Sequence, residues 1–316
     1  MMEQKKTPLV AVVGPTASGK TWLAVELAKH YQGEVVSADS MQIYREMDIA
    51  TAKPTLEEQQ GIPHHLVDFL PPDNPSFSVA DYAKLAHEAI SQIHSRGHLP
   101  ILAGGTGLYV DAVVDNLDFS PIASDPQLRQ QLRQLGEERG AEYLHRLLEQ
   151  VDPDCAARLH PQNQGRVIRA LEVYQLTGIP MSEHQRRSRL VPSQYESCLL
   201  GLGFRDRARL YERIDRRVDE MLRAGLLEEA RRICGRYGGT ARQAIGYKEL
   251  QPFLAGEAPL EACVERLKQA TRNYAKRQLT WFRHNPRIHW LWVDEAERPE
   301  DLLKNAQNVI HKELHL

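Results

Sequence analysis

Cysteine is scarce in this chain of 316 residues, and the four present, Cys155, Cys198, Cys234 and Cys263, form no CxxC pair. Such spacing excludes a zinc ribbon and a disulfide framework, and it predicts reduced thiols in a cytoplasmic protein. Long apolar runs are missing as well. Those present, such as Leu9 to Val13, have only strand length, and the opening Met-Met-Glu-Gln-Lys-Lys has no apolar stretch. Neither a membrane span nor a signal peptide is expected. Net charge is almost absent: 40 basic against 42 acidic residues leave −2. That total announces neither a nucleic acid nor an anionic membrane as partner. What remains is ordinary globular composition, 42% hydrophobic and 26% charged, long enough for two domains of about 150 residues.

In the first third, apolar runs of strand length alternate with stretches of helical periodicity. Leu9 to Val13, Glu34 to Ser37, His65 to Asp68 and Leu99 to Ala103 read as strands, and about Lys20 to Tyr31 and Asp81 to Arg96 as helices. This alternation predicts an α/β fold with a parallel sheet, whose functional edge lies at the carboxyl ends of the strands. From about Ser124 to Arg189 strand-like runs disappear, and Leu128, Leu132 and Leu135 fall at helical spacing. A strand returns at Cys198 to Phe204. Helices are expected over about Arg207 to Tyr237 and Leu260 to His284, then a last strand at Arg287 to Val293 and a terminal helix from Asp301. The expected organisation is therefore a core (1–123), a helical insertion domain (124–192) and the rest of the core with basic C-terminal helices (193–316).

Gly14-Pro15-Thr16-Ala17-Ser18-Gly19-Lys20-Thr21 matches G-x-x-x-x-G-K-[ST] directly after a strand and before a helix, the context that gives the pattern its mechanism. Backbone N–H groups of such a loop wrap phosphate oxygens, Lys20 supplies a point charge, and Thr21 offers a hydroxyl to Mg2+. The fold expected is thus a P-loop NTPase-like parallel sheet core. The motif recognises a diphosphate or triphosphate tail, which prenyl diphosphates share with nucleotides. Two more loops belong to the same edge. Ser37-Ala-Asp-Ser-Met-Gln-Ile-Tyr places Asp39 near Lys20, as metal ligand, helix cap or general base. Gly104-Gly-Thr-Gly-Leu-Tyr is either a tight strand-to-helix turn or a ligand contact.

These three segments, with Gly61-Ile-Pro-His-His-Leu-Val-Asp, Gln243-Ala-Ile-Gly-Tyr-Lys-Glu and Thr271-Arg-Asn-Tyr-Ala-Lys-Arg-Gln-Leu-Thr-Trp-Phe, resemble the bacterial tRNA dimethylallyltransferase family, over essentially the whole chain and in family order. The resemblance implies transfer of a dimethylallyl group from dimethylallyl diphosphate to N6 of adenosine 37 in the tRNA anticodon loop, with release of diphosphate. It implies Thr16 at the bridging oxygen, Lys20, Thr21 and Mg2+ at the departing diphosphate, and Asp39 as acceptor of the N6 proton. It also implies an arginine at the diphosphate, assigned to Arg217, with Arg213 and Arg216 in the same run. For tRNA contact it points to Asp39, Ser40, Met41, Gln42 and Thr106 around a flipped base. Further contacts follow from Asn163, Gln164, Gly165, Arg166 and Val167, with Arg169 close by, and from Gln243, Ala244, Ile245, Gly246, Tyr247 and Lys248.

The near-zero net charge hides a local excess. Val264 to Trp290 holds seven basic residues against one acid, and Lys268, Arg272 and Lys276 recur every four residues. Such a basic helical stripe suits contacts along an RNA stem. Tyr274 and Trp281 are expected in the core rather than as stacking platforms, and His64-His65 at a strand edge rather than on a metal. The partners expected are an anticodon stem-loop and dimethylallyl diphosphate, with no membrane, and the protein a monomer. Competing readings are a P-loop small-molecule kinase, an isopentenyltransferase acting on free adenine nucleotide, and a non-catalytic RNA-binding adaptor. The first two have no use for the basic stripe or the insertion.

Overall fold

The structure, a computed structural model, describes residues 6–74, 77–117 and 124–316. Six strands form one parallel sheet in the order β3-β2-β4-β1-β5-β6. They are β1 (Thr7–Val13), β2 (Gly33–Ser37), β3 (His64–His65), β4 (Leu99–Gly104), β5 (Tyr195–Gly203) and β6 (Ile288–Trp292). β1 is central, and Leu9 to Val13 are all fully buried, as expected for a parallel strand covered on both faces. Leu9, Ala11 and Val13 join one core cluster and Val10 and Val12 the other, the period-two alternation of a strand. β3 is shorter than the His65 to Asp68 expected, because Leu66 and Asp68 adopt φ values of 59° and 58°, which extended chain cannot accommodate.

Four helices accompany the first half of the sheet: α1 (Lys20–Tyr31), α2 (Leu56–Gln59), α3 (Val79–Ser95) and α4 (Gly107–Val114). Five follow with no strand between them: α5 (Pro126–Arg139), α6 (Ala141–Val151), α7 (Pro153–Ala156), α8 (Gln164–Thr177) and α9 (Met181–Ser188). The last six are α10 (Arg207–Arg223), α11 (Leu226–Arg236), α12 (Gly239–Arg242), α13 (Tyr247–Leu254), α14 (Leu260–Arg283) and α15 (Pro299–Leu314). Leu23 and Leu27 of α1 cover one sheet face together with Leu302 and Ile310 of α15. Tyr82 and Ile90 of α3, Val113 of α4 and Phe282 of α14 cover the other. The single helix expected over Arg207 to Tyr237 is broken in two at Gly225, whose φ of 100° is left-handed and ends α10 as glycine commonly does.

By compactness the chain divides into Met1–Val114 with Gln194–Leu316, and Asp115–Ser193. The edges of the second unit, 115 and 193, compare with 124 and 192 read from composition. This unit is built on Leu132, Leu144, Leu148, Val167, Ile168 and Leu171, and Asn116 Nδ2 donates to Pro192 O at 3.1 Å, tying its two ends together. Within the sheet-bearing unit, β2 and β4 run so close at their carboxyl ends that a Cβ on Gly104 would lie 2.1 Å from Ala38 O. Only glycine permits that approach, and it brings two loops to one edge. Among the described residues no helix is long and apolar enough to cross a membrane.

Candidate active site

A cavity of about 340 Å3 opens at the carboxyl edge of the sheet, lined by Thr16, Lys20, Thr21, Asp39, Arg217 and Gln278 among others. The loop after β1 is its floor. Ala17 is held at φ 61°, a conformation that turns successive N–H groups inward, as anion-binding nests do. Ser18 Oγ is buried and neither accepts nor donates a hydrogen bond within the protein, which leaves the hydroxyl to a ligand oxygen or a water. Lys20 Nζ donates to Pro15 O at 2.7 Å, so the ammonium is drawn over the loop. Burial brings its pKa down to about 7; Arg217 adds to the fall and Asp39 opposes it. An anionic ligand would restore the full charge.

Asp39 follows β2 on the cavity wall facing that loop. Its Oδ1 accepts from Met41 N at 2.9 Å and Gln42 N at 3.4 Å. Both hydrogen bonds fall on Oδ1, so the carboxylate caps a turn with one oxygen and leaves Oδ2 outside that cap. Burial raises its pKa, against the Met41 N–H, Lys20, the Gln42 N–H and Arg217, which favour the anion. A carboxylate made more basic by burial is a stronger proton acceptor. Ser40 N donates to Thr106 Oγ1 at 3.0 Å, which locks this turn to the loop after β4. The Gln42 amide is already engaged, accepting from Ser37 Oγ at 3.1 Å and donating to Thr51 O at 3.3 Å and Ala52 O at 3.1 Å. Gln42 therefore shapes the wall.

The arginine run on α10 divides by position. Arg217 lines the cavity beside Lys20 and Asp39, and burial lowers its pKa, partly offset by Glu58 and Asp39. Arg213 donates from Nε to Ala17 O at 2.9 Å and so braces the phosphate loop, while Arg216 is exposed. Two contributors escaped the sequence reading. Gln278 on α14 accepts from Thr16 N at 2.8 Å and donates from Nε2 to Gly105 O at 3.0 Å, joining the loops after β1 and β4. Its signal was a polar residue on the buried stripe of α14 with Ala275, Leu279 and Phe282. Glu229, buried on α11, accepts from three consecutive N–H groups, those of Asp48, Ile49 and Ala50.

Several expected contacts need correction. Val167 is 0% exposed in the core of its own unit, so its side chain meets no RNA, whereas Asn163, Gly165 and Arg166 are exposed. Arg169 pairs at 2.6 Å with the buried Glu172. Tyr247 is fully buried with its hydroxyl on Glu229 at 2.8 Å; of its neighbours, Gln243, Ala244, Ile245 and Gly246 line the cavity and Lys248 is exposed. The basic stripe is partly neutralised: Lys268 pairs with Asp219 at 2.7 Å and Arg272 with Asp215 at 2.6 Å, both on α10. Lys276 and Arg277 stay exposed. Tyr274 lines the cavity rather than the core. Trp281 is 43% exposed and donates from Nε1 to Asp111 Oδ2 at 2.9 Å. His65 does sit at the sheet edge, paired at 2.6 Å with Glu34.

A loop of the phosphate-binding pattern, a carboxylate whose pKa is raised and a half-buried arginine meet at the carboxyl edge of a parallel sheet, the arrangement expected of an α/β protein that handles a phosphorylated substrate. The model of the family described as IPP transferase matches residues 42–285. A tRNA dimethylallyltransferase of Thermoanaerobacter sp. (strain X514) is 48% identical over 302 residues, covering 94% of this chain and 95% of that protein. One from Geobacillus kaustophilus (strain HTA426) is 51% identical over 292 residues, covering 91% of each. The crystal structure of a tRNA isopentenylpyrophosphate transferase from Bacillus halodurans superposes with a TM-score of 0.73 at 44% identity, covering 98% of both chains. The chain belongs to the IPP transferase family.

Proposed function

We propose that this protein transfers a dimethylallyl group from dimethylallyl diphosphate to N6 of adenosine 37 in the tRNA anticodon loop. The observation that carries this reading is the pairing, across one cavity, of a loop of the phosphate-binding pattern with a half-buried carboxylate whose pKa is raised by desolvation. The loop after β1, Lys20 and Arg217 take the diphosphate. As the C–O bond breaks, negative charge grows on the bridging oxygen, and preorganised donors aimed there lower the barrier. Thr16, next to that oxygen in this reading, is held by Gln278. The exocyclic amine forms the new C–N bond and loses its proton to Asp39, and diphosphate departs. An adenine can reach such a cavity only by leaving its stack.

Mg2+ fits the donor set in a limited way. Among the described residues no group of three His, Cys, Asp or Glu could hold a metal ion, so the protein's own contribution is the Thr21 hydroxyl in the cavity wall. The remaining ligands are then substrate oxygens and water, the usual habit of Mg2+. When bound, the ion supplies charge neutralisation for the leaving diphosphate.

The reading is tested by incubating the protein with dimethylallyl diphosphate, Mg2+ and unmodified tRNA. The expected result is a mass gain of one dimethylallyl group on adenosine 37; turnover of ATP without RNA, and none of RNA, would point to a kinase instead. The surface of α14 gives a second prediction. Lys276→Glu is expected to weaken RNA binding and to reduce the slope of log affinity against log salt by about 0.7–0.9. The KM for dimethylallyl diphosphate should stay unchanged. Arg272→Glu should instead lower thermal stability, because it sets a carboxylate against Asp215.

A further inference from the structure

The cavity has a wall whose order depends on a residue outside it. Glu229 lies behind the lining and is 4% exposed. Its Oε2 accepts from Asp48 N at 2.9 Å and Ile49 N at 2.8 Å, and its Oε1 from Ala50 N at 2.9 Å and the Tyr247 hydroxyl at 2.8 Å. Four donors on one carboxylate give it a full complement of charge-assisted hydrogen bonds, the strong kind. Both segments so held reach the cavity: Ala50, Thr51 and Ala52 on one side, and Gln243 to Gly246 just ahead of Tyr247 on the other. The two touch directly, since a Cβ on Gly246 would lie 3.0 Å from Ala50 Cβ.

The link continues inward. Thr51 O and Ala52 O receive the Gln42 amide, whose own backbone N–H caps Asp39. The phosphate loop is fixed by other means, through Gln278 and Arg213. Glu229 therefore governs the part of the cavity farther along from the diphosphate cradle.

We propose that Glu229 is a positioning residue for the nucleobase acceptor, holding the 48–52 turn and the 243–246 segment as one wall against which the unstacked base is placed. This rests on the acceptor assigned above. Loss of the clamp should misplace the RNA acceptor and spare diphosphate binding, because misplacing a reactant by about 1 Å costs up to about 10²-fold in rate.

The test is Glu229→Gln, which keeps size and one acceptor oxygen but turns an NH2 toward backbone donors. The expected result is a fall of about tenfold in kcat/KM for RNA, with the KM for dimethylallyl diphosphate unchanged within error. Hydrogen exchange should quicken at the amides of Asp48, Ile49 and Ala50 and stay unchanged at Gly19 to Thr21. Faster exchange with an unaltered kcat/KM for RNA would overturn the proposal, as would a comparable rise in the KM for dimethylallyl diphosphate. Should Glu229→Gln fail to fold, Tyr247→Phe decides: it removes one donor and leaves the three backbone bonds, and an unchanged kcat/KM for RNA would refute the assignment. A wild-type protein that prenylates no RNA would count against the proposed function. The clamp is then judged by equilibrium RNA affinity, which Glu229→Gln must lower for the proposal to stand.

Discussion

Asp39→Asn is expected to lower kcat for prenyl transfer to RNA by about 10²–10⁴-fold, the range that a positioned general base contributes. An asparagine keeps the cap, because its side-chain oxygen still accepts from Met41 N and Gln42 N, so the turn and the cavity survive. What is lost is the ability to take a proton. An exocyclic amine is a poor nucleophile, since its lone pair is delocalised into the ring, and it becomes a good one only as the N–H bond weakens. The measurement is single-turnover transfer, with diphosphate binding as the control. A loss in kcat without a loss in diphosphate affinity identifies Asp39 as the base. Full activity in Asp39→Asn would assign the carboxylate to the turn alone.

Lys20→Ala should reduce kcat/KM for dimethylallyl diphosphate by about 10²–10³-fold, the scale for removing one preorganised donor from a developing anion. The wild-type protein carries a second signature. With Lys20 at about 7 in the empty site, half the molecules hold the ammonium at pH 7 and about one in a hundred at pH 9. A diphosphate selects the charged form, so binding draws in a proton and affinity falls as pH rises through 7, by about fifty-fold between pH 7 and 9. Calorimetry in buffers of different ionisation enthalpy measures that proton directly. Lys20→Ala should bind diphosphate weakly at every pH and without the slope; a slope that persisted would place the titrating group elsewhere.

Most of the sheet was legible because a parallel strand buried on both faces must be apolar throughout, as Leu9 to Val13 are. The phosphate loop was legible for a different reason: its chemistry is contained in eight consecutive residues. Most of the failures share a cause. β3 ends early because Asp68 turns away from extended geometry and pairs with Lys53 at 2.6 Å, a partner that no strand pattern reveals. The basic row on α14 looked free because the window counted charges along one helix, and Asp215 and Asp219 belong to another. Gln278 and Glu229 act across 262 and about 180 positions of sequence, where no local spacing can announce them. Gly225 was visible as a helix breaker, but the apolar periodicity on both sides of it outweighed a single glycine.

The hydrogen bond from Asn116 to Pro192 bears on how the sheet assembles. β4 and β5 both pair with β1, yet a whole helical unit stands between them in sequence. Closing a flexible loop of that length carries an entropic cost that grows with the logarithm of its length. A compact unit that returns its chain to the point of departure replaces that long loop by a short bridge once it has formed. For the folding sheet, the contour between β4 and β5 is then set by α4 and the few residues at the clasp, and the helices beyond it add length to the sequence but little to the search.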